Sequence, residues 1–106
     1  MMFGRVTDRR GLKILSAKDR ITQLVKAVGG DTSHIRTDYY GGFDYYERHG
    51  DLDIRISNHE SYDCPWVDIY HFKVGPVALY RVTDDAKAAE LIEEYREMFR
   101  ETADAH

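Results

Sequence analysis

"FDYYERHGDLDIRIS", residues 43–57, decides the fold. Apolar and polar side chains alternate on both sides of a His-Gly dipeptide, with the period of two that belongs to β-strands. The stretch predicts a hairpin with His49-Gly50 as its two-residue loop, because Gly accepts the positive φ that such loops demand. In that register Phe43 faces Ile56, Tyr45 faces Ile54 and Glu47 faces Leu52, on a mainly apolar side. On the other side Asp44 faces Arg55, Tyr46 faces Asp53 and Arg48 faces Asp51. Opposite charges across strands contribute ~0.2–1 kcal/mol a pair, so pattern and charge agree.

Downstream, "WVDIYHFKVGPVALYRV" (residues 66–82) reads as a second hairpin about Gly75-Pro76. This sets His71 opposite Tyr80 and Tyr70 opposite Arg81. Upstream, "SAKDRITQLVKAVGG" (16–30) reads as a helix. Ser16 caps it, Asp19 sits at the capping-box position, Ile21, Leu24, Val25 and Val28 form the buried stripe, and Gly29-Gly30 ends it. "DTSHIRTDYYGG" (31–42) is a polar connection with room for a short strand. From Asp84 or Asp85 the chain enters a second helix, with Ala88, Leu91, Ile92, Tyr95 and Phe99 on its apolar stripe and an acidic outer face. Residues 102–106 are expected to fray, and residues 1–15 to form a short hairpin, Phe3–Thr7 with Leu12–Leu15. The order helix, about four antiparallel strands, helix predicts one α+β domain over residues 1–106. It is a two-layer sandwich with both helices on one sheet face. The other sheet face, charged and tyrosine-bearing, is where something would bind.

Composition fits a folded chain: 106 residues, 42% hydrophobic, with eight tyrosines. A single cysteine, Cys64, forbids an internal disulfide and suggests a reducing, cytoplasmic setting. No apolar run approaches a membrane span and no signal-peptide pattern opens the chain. The net charge of −4 divides unevenly: residues 1–36 carry eight basic and three acidic residues, residues 37–106 seven and sixteen. Either the two halves attract each other, or each offers a charged face to a partner. An acidic total argues against a plain nucleic-acid binder.

His49, Asp51, His59, Asp63, Cys64 and His71 lack the paired spacing of a metal site, so no metal and no cofactor is expected. Cys64 follows Asp63, whose charge would raise a thiol pKa. A more suggestive set is Arg55, His59, Tyr70 and Arg81, on a sheet with His71 close by. A base, an acid and a phosphate-binding arginine there could cleave RNA through its own 2′-hydroxyl. The same register accounts for Arg55 as the partner of Asp44, and for His71 as a neighbour of Tyr80, with no function attached.

At "DIRISNHE" (53–60) the chain resembles small phage and mobile-element proteins that carry a strand ending in Arg-x-Ser-Asp-His. Arg55, Ser57 and His59 match, and Asn58 stands in place of the acid. The resemblance implies a phage or mobile-element setting. The order of elements is also similar to that of RelE-type toxin ribonucleases, which implies the RNA-cleaving alternative; those toxins are usually strongly basic, and this chain is not.

The leading expectation is an interaction or inhibitor protein that binds a host or defence protein, or pairs with itself. Its binding residues are Tyr46, Arg55, His59, Tyr62, Trp66 and Tyr70, with Glu90, Glu93, Glu94 and Glu97 on the acidic helix. A nucleic-acid contact through Arg5, Arg9, Arg10 and Lys13 is a third expectation.

Overall fold

Ser16 starts the first helix as its sequence requires. In the computed structural model, which describes residues 6–7, 13–14, 16–37, 42–58 and 65–104, its Oγ accepts the Asp19 N–H at 3.1 Å. Helix α1 runs Ala17–Ala27. Its end is a Schellman motif: Gly30 N–H donates to Val25 O at 2.9 Å, Gly29 N–H to Lys26 O at 3.1 Å, and Gly29 takes a φ of +73°. Gly30 has a separate reason to be glycine. A Cβ there would lie 2.5 Å from the Tyr45 hydroxyl, leaving no room for a side chain.

The short strands β1 (Val6–Thr7) and β2 (Lys13–Ile14) pair antiparallel. The main sheet has five strands: β3 (Ile35–Thr37), β4 (Phe43–His49), β5 (Leu52–Ser57), β6 (Trp66–His71) and β7 (Gly75–Arg81). Their order in the sheet is their order in the chain, all antiparallel. The count corrects the expected four, because the polar "IRT" of β3 pairs with β4. Helix α2 spans Asp85–Asp104, past Thr102, where the sequence predicts fraying. Asp84 caps it, its Oδ1 accepting from Ala86 N–H at 2.9 Å.

Both hairpin registers differ from expectation. In β4–β5 the pairs are Tyr45 with Ile56, Tyr46 with Arg55, Glu47 with Ile54 and Arg48 with Asp53. This is a slip of two residues that keeps every side chain on its expected face. The loop is Gly50-Asp51, with Gly50 at φ +62°. A type II′ turn wants Gly first and asks nothing unusual of the second residue, whereas a His49-Gly50 type I′ loop would force His49 to positive φ. In β6–β7 the turn covers Phe72–Val74, closed by Val74 N–H on His71 O at 3.2 Å, and Gly75 follows at φ +99°. His71 therefore faces Gly75 instead of Tyr80, Tyr70 faces Pro76, and Tyr80 faces Val67. A register shift after Ile69 makes Val77 an extra residue in β7.

Both helices cover one sheet face. Ile21, Leu24 and Val25 of α1 and Ala88 and Ile92 of α2 are buried with Tyr45, Ile54, Ile56, Val67 and Ile69. Phe99 lies in α2, but its side chain is outside the described residues. Arg20 clasps Asp85 with two hydrogen bonds of 2.7 and 3.1 Å, tying the basic half of the chain to the acidic half.

Candidate functional site

Strand alternation gives the uncovered sheet face three cross-strand rows. One is Arg36, Asp44, Ser57, Trp66, Arg81; the next Tyr46, Arg55, Asp68, Leu79; the third Arg48, Asp53, Tyr70, Pro76. No helix lies over this face among the described residues; Asp44 and Ser57 of its first row are buried, while Tyr46 (38% exposed), Tyr70 (41%), Phe72 (54%) and Leu79 (66%) stand open on or beside it.

Tyr46 is its centre. The Arg36 guanidinium sits 4.7 Å from the ring centroid and that of Arg55 5.8 Å. Buried Asp44 holds both cations: Arg36 Nε donates to Oδ1 at 3.2 Å, and Arg55 Nη2 lies 3.8 Å from Oδ2. So the expected Arg55–Asp44 pair exists, but diagonally, while Tyr46 occupies the position directly across. The Nε of Arg55 is buried and makes no hydrogen bond. A second unit repeats the design. Arg48 makes a two-pronged contact with Asp53 at 2.7 and 3.0 Å, and its guanidinium lies 4.7 Å over Phe72. Phe72 meets Tyr70 edge-on at 6.2 Å. The Arg48 hydrogen bond holds the Asp53 carboxyl below its ordinary range. Between the two units a shallow depression of about 590 Å³ is lined by Ser33, His34, Arg36, Tyr46, Arg48 and Asp53. Each of these three arginines is therefore fixed by a carboxylate and laid against a ring.

The structure brings together Tyr46, Arg55, Trp66, Tyr70 and Arg81 on this one face. Tyr70, and not His71, shares it with Arg55. His59 and Tyr62 lie outside the described residues, as do Asp63 and Cys64; so do Arg5, Arg9 and Arg10, and the side chain of Lys13. Glu90, Glu93, Glu94 and Glu97 are exposed on α2, in the helix layer on the opposite side of the sandwich. Two of them are partly neutralised: Arg100 contacts Glu93 at 2.5 Å and also bonds Glu97, and Arg96 contacts Glu93 at 3.2 Å. Sequence reading passed over Arg36 and Phe72. Arg36 sits in a strand too short to register, and Phe72 was assigned to a strand when it turns in a loop.

The covered face holds a polar cluster of its own. Arg96 Nη2 donates to Glu47 Oε1 at 2.5 Å and Nε to Oε2 at 3.1 Å; the Tyr45 hydroxyl donates to Oε1 at 3.0 Å. His49 Nε2 lies 2.7 Å from Oε2, and against a carboxylate that only accepts, this nitrogen carries the proton. Burial raises the Glu47 pKa, but the bonds from Arg96, His49 and Tyr45 outweigh it and hold the group below its ordinary value. Burial and the Glu47 charge push the Tyr45 hydroxyl up to about 12. Both Glu47 oxygens are thus occupied from within, which makes this carboxylate a clamp between sheet and helix and a poor general base. Beside it a cleft of about 290 Å³ is lined by His49, Asp51, Leu52, His71, Val77, Tyr95 and Met98. Among the described residues no three His, Cys, Asp or Glu side chains are grouped to hold a metal, and no helix is long and apolar enough to cross a membrane.

No family model, no curated protein and no solved structure matches this chain, so its functional reading rests on the side chains of the sheet face.

Proposed function

We propose that this is a small interaction protein that binds another protein through the uncovered face of its sheet, inside the cell. The observation that carries this is Tyr46 held between Arg36 and Arg55, with Tyr70, Phe72 and Leu79 exposed around it. Aromatic and Arg side chains anchor most protein interfaces. Here the guanidinium groups are already oriented, so binding orders little that is not ordered before. Five strands at ~4.8 Å spacing and about six residues at ~3.3 Å give a face of at most roughly 24 by 20 Å, the low end of the interface range, where transient contacts fall. A host or defence protein as the partner follows from the phage-like "DIRISNHE" resemblance.

The acidic helix is left out of this contact. It faces away from the sheet surface, and one partner surface cannot meet both at once without wrapping around the edge. In the ribonuclease alternative Arg55 would have to be open to phosphate, whereas the Asp44 carboxylate already engages it.

A photo-crosslinking residue placed at Tyr70 identifies the partner, and calorimetry with the purified pair tests the surface. Tyr46→Ala and Arg55→Ala are each expected to weaken binding at least about 30-fold, the ~2 kcal/mol of an interface anchor. Glu94→Lys is expected to change it less than about twofold. Full affinity in Tyr46→Ala, with loss in Glu94→Lys, would move the contact to the helix and sink the proposal.

A further inference from the structure

We propose that the edge of β7 pairs with β7 of a second copy, joining two five-stranded sheets into one two-fold symmetric dimer. Of the residues it rests on, only Leu79 is shared with the proposed sheet-face contact. β7 is the last strand of the sheet, so the outward backbone groups of its free edge have no neighbouring strand among the described residues. Such an edge is a template for another strand unless it is blocked. Blocking devices stand at both ends of the strand: Pro76 lacks an N–H, Val77 is the extra residue of the register shift, and Arg81 places a charge at the last position. From Ala78 to Tyr80 no charge or proline guards it, and Leu79 is 66% exposed.

The neighbouring helix surface says which strand would come. Beside β7 a groove of about 330 Å³ is lined by Tyr80, Lys87, Glu90, Leu91 and Glu94. Glu93, Glu97, Arg96 and Arg100 all have ion-pair partners within the chain, whereas Lys87, Glu90 and Glu94 form none among the described residues. The groove therefore presents a cation at one end and carboxylates toward the other. A two-fold axis across β7 reverses the second copy's α2, so the Lys87 end of one groove meets the Glu94 end of the other. Lys87 and Glu94 are two helical turns apart, ~10 Å, and Leu91 falls near the middle, against its own symmetry mate. A partner of one charge would satisfy only one end of this groove; a second copy satisfies both.

Sedimentation equilibrium of the full chain tests it. The expected mass is about 25 kDa, twice the 12.3 kDa of the chain. Leu79→Lys puts a charge on the exposed edge and is expected to raise the dimer dissociation constant at least about 30-fold while circular dichroism stays unchanged. Lys87→Glu and Glu94→Lys are each expected to weaken the dimer about 10-fold, and the two together to restore it. A chain of single mass at roughly 100 µM, a dimer that survives Leu79→Lys, or a charge swap that fails to restore association overturns the proposal.

Discussion

Arg96→Met is expected to lower the unfolding free energy by about 3–5 kcal/mol, read from the urea midpoint. That is a large part of the total for a domain of this size. The reason is what it leaves behind. Glu47 is 14% exposed and Arg96 12%, and the two are locked by bonds of 2.5 and 3.1 Å. Removing the cation strands a carboxylate between sheet and helix, and also frees the Val28 carbonyl that Arg96 Nη1 holds at 2.6 Å. The double variant Glu47→Leu with Arg96→Met is expected to recover much of the loss, because an apolar pair needs no desolvation of charge. A single variant as stable as the parent would show that Glu47 is served by His49 and Tyr45 alone. The cluster also sets the pH window. Glu47 has its folded pKa below the ordinary 4.5, so its contribution is complete above 4.5 and is lost as pH falls through the folded value. Tyr45 has its pKa raised from 10.0 to about 12, so stability falls as pH climbs across that interval. In Arg96→Met the acid limb should flatten.

Asn58→Asp is the second large effect, expected at about 3 kcal/mol by the same measurement. The substitution would restore the acid of the phage-like motif, and it should harm the fold. Asn58 is fully buried. Its Oδ1 accepts the Phe43 N–H at 2.9 Å and its Nδ2 donates to the Ala17 carbonyl at 2.8 Å, stitching β4 and the end of β5 to the start of α1. An aspartate keeps the acceptor but loses the donor, and sets a charge against a carbonyl in a dry site. The loss should shrink as pH falls and the carboxyl takes up a proton to donate. A variant as stable as the parent at neutral pH would mean that the amide donor carries nothing.

Asn58 also shows where sequence reading stops. Its position after a strand was plain; that both ends of its side chain serve backbone groups far apart in sequence was not. The helices were legible because caps and stripes are local: Ser16, Gly29 and Asp84 act within a few residues of themselves. The sheet faces were legible because alternation survives a slip of two, which is why Tyr46, Arg55 and Tyr70 fell on one side as read. The registers were not, because a turn is set by which loop residue takes positive φ, and both candidate dipeptides contained a glycine. Glu47 was placed opposite Leu52 on a mainly apolar face with no partner named, since its partner Arg96 lies 49 residues away in a helix whose other charges are mostly acidic. The aromatic-arginine stacking needed Arg36 and Phe72, neither of which alternation alone could place.

The sheet's strand order, identical to the chain order, has a kinetic consequence. No strand waits for a distant one. β4 meets β5 across Gly50-Asp51, and β6 meets β7 across Phe72–Val74, so the sheet zips by short closures of the kind that make folding fast. The bonds that join remote segments, Arg96 to Glu47 and Arg20 to Asp85 across 65 residues, are expected to close after the sheet exists. Interactions that form late govern how long the folded state lasts, and leave the rate of its formation nearly untouched. In this protein the meander is expected to set the speed of folding, and two arginines on the helices the lifetime.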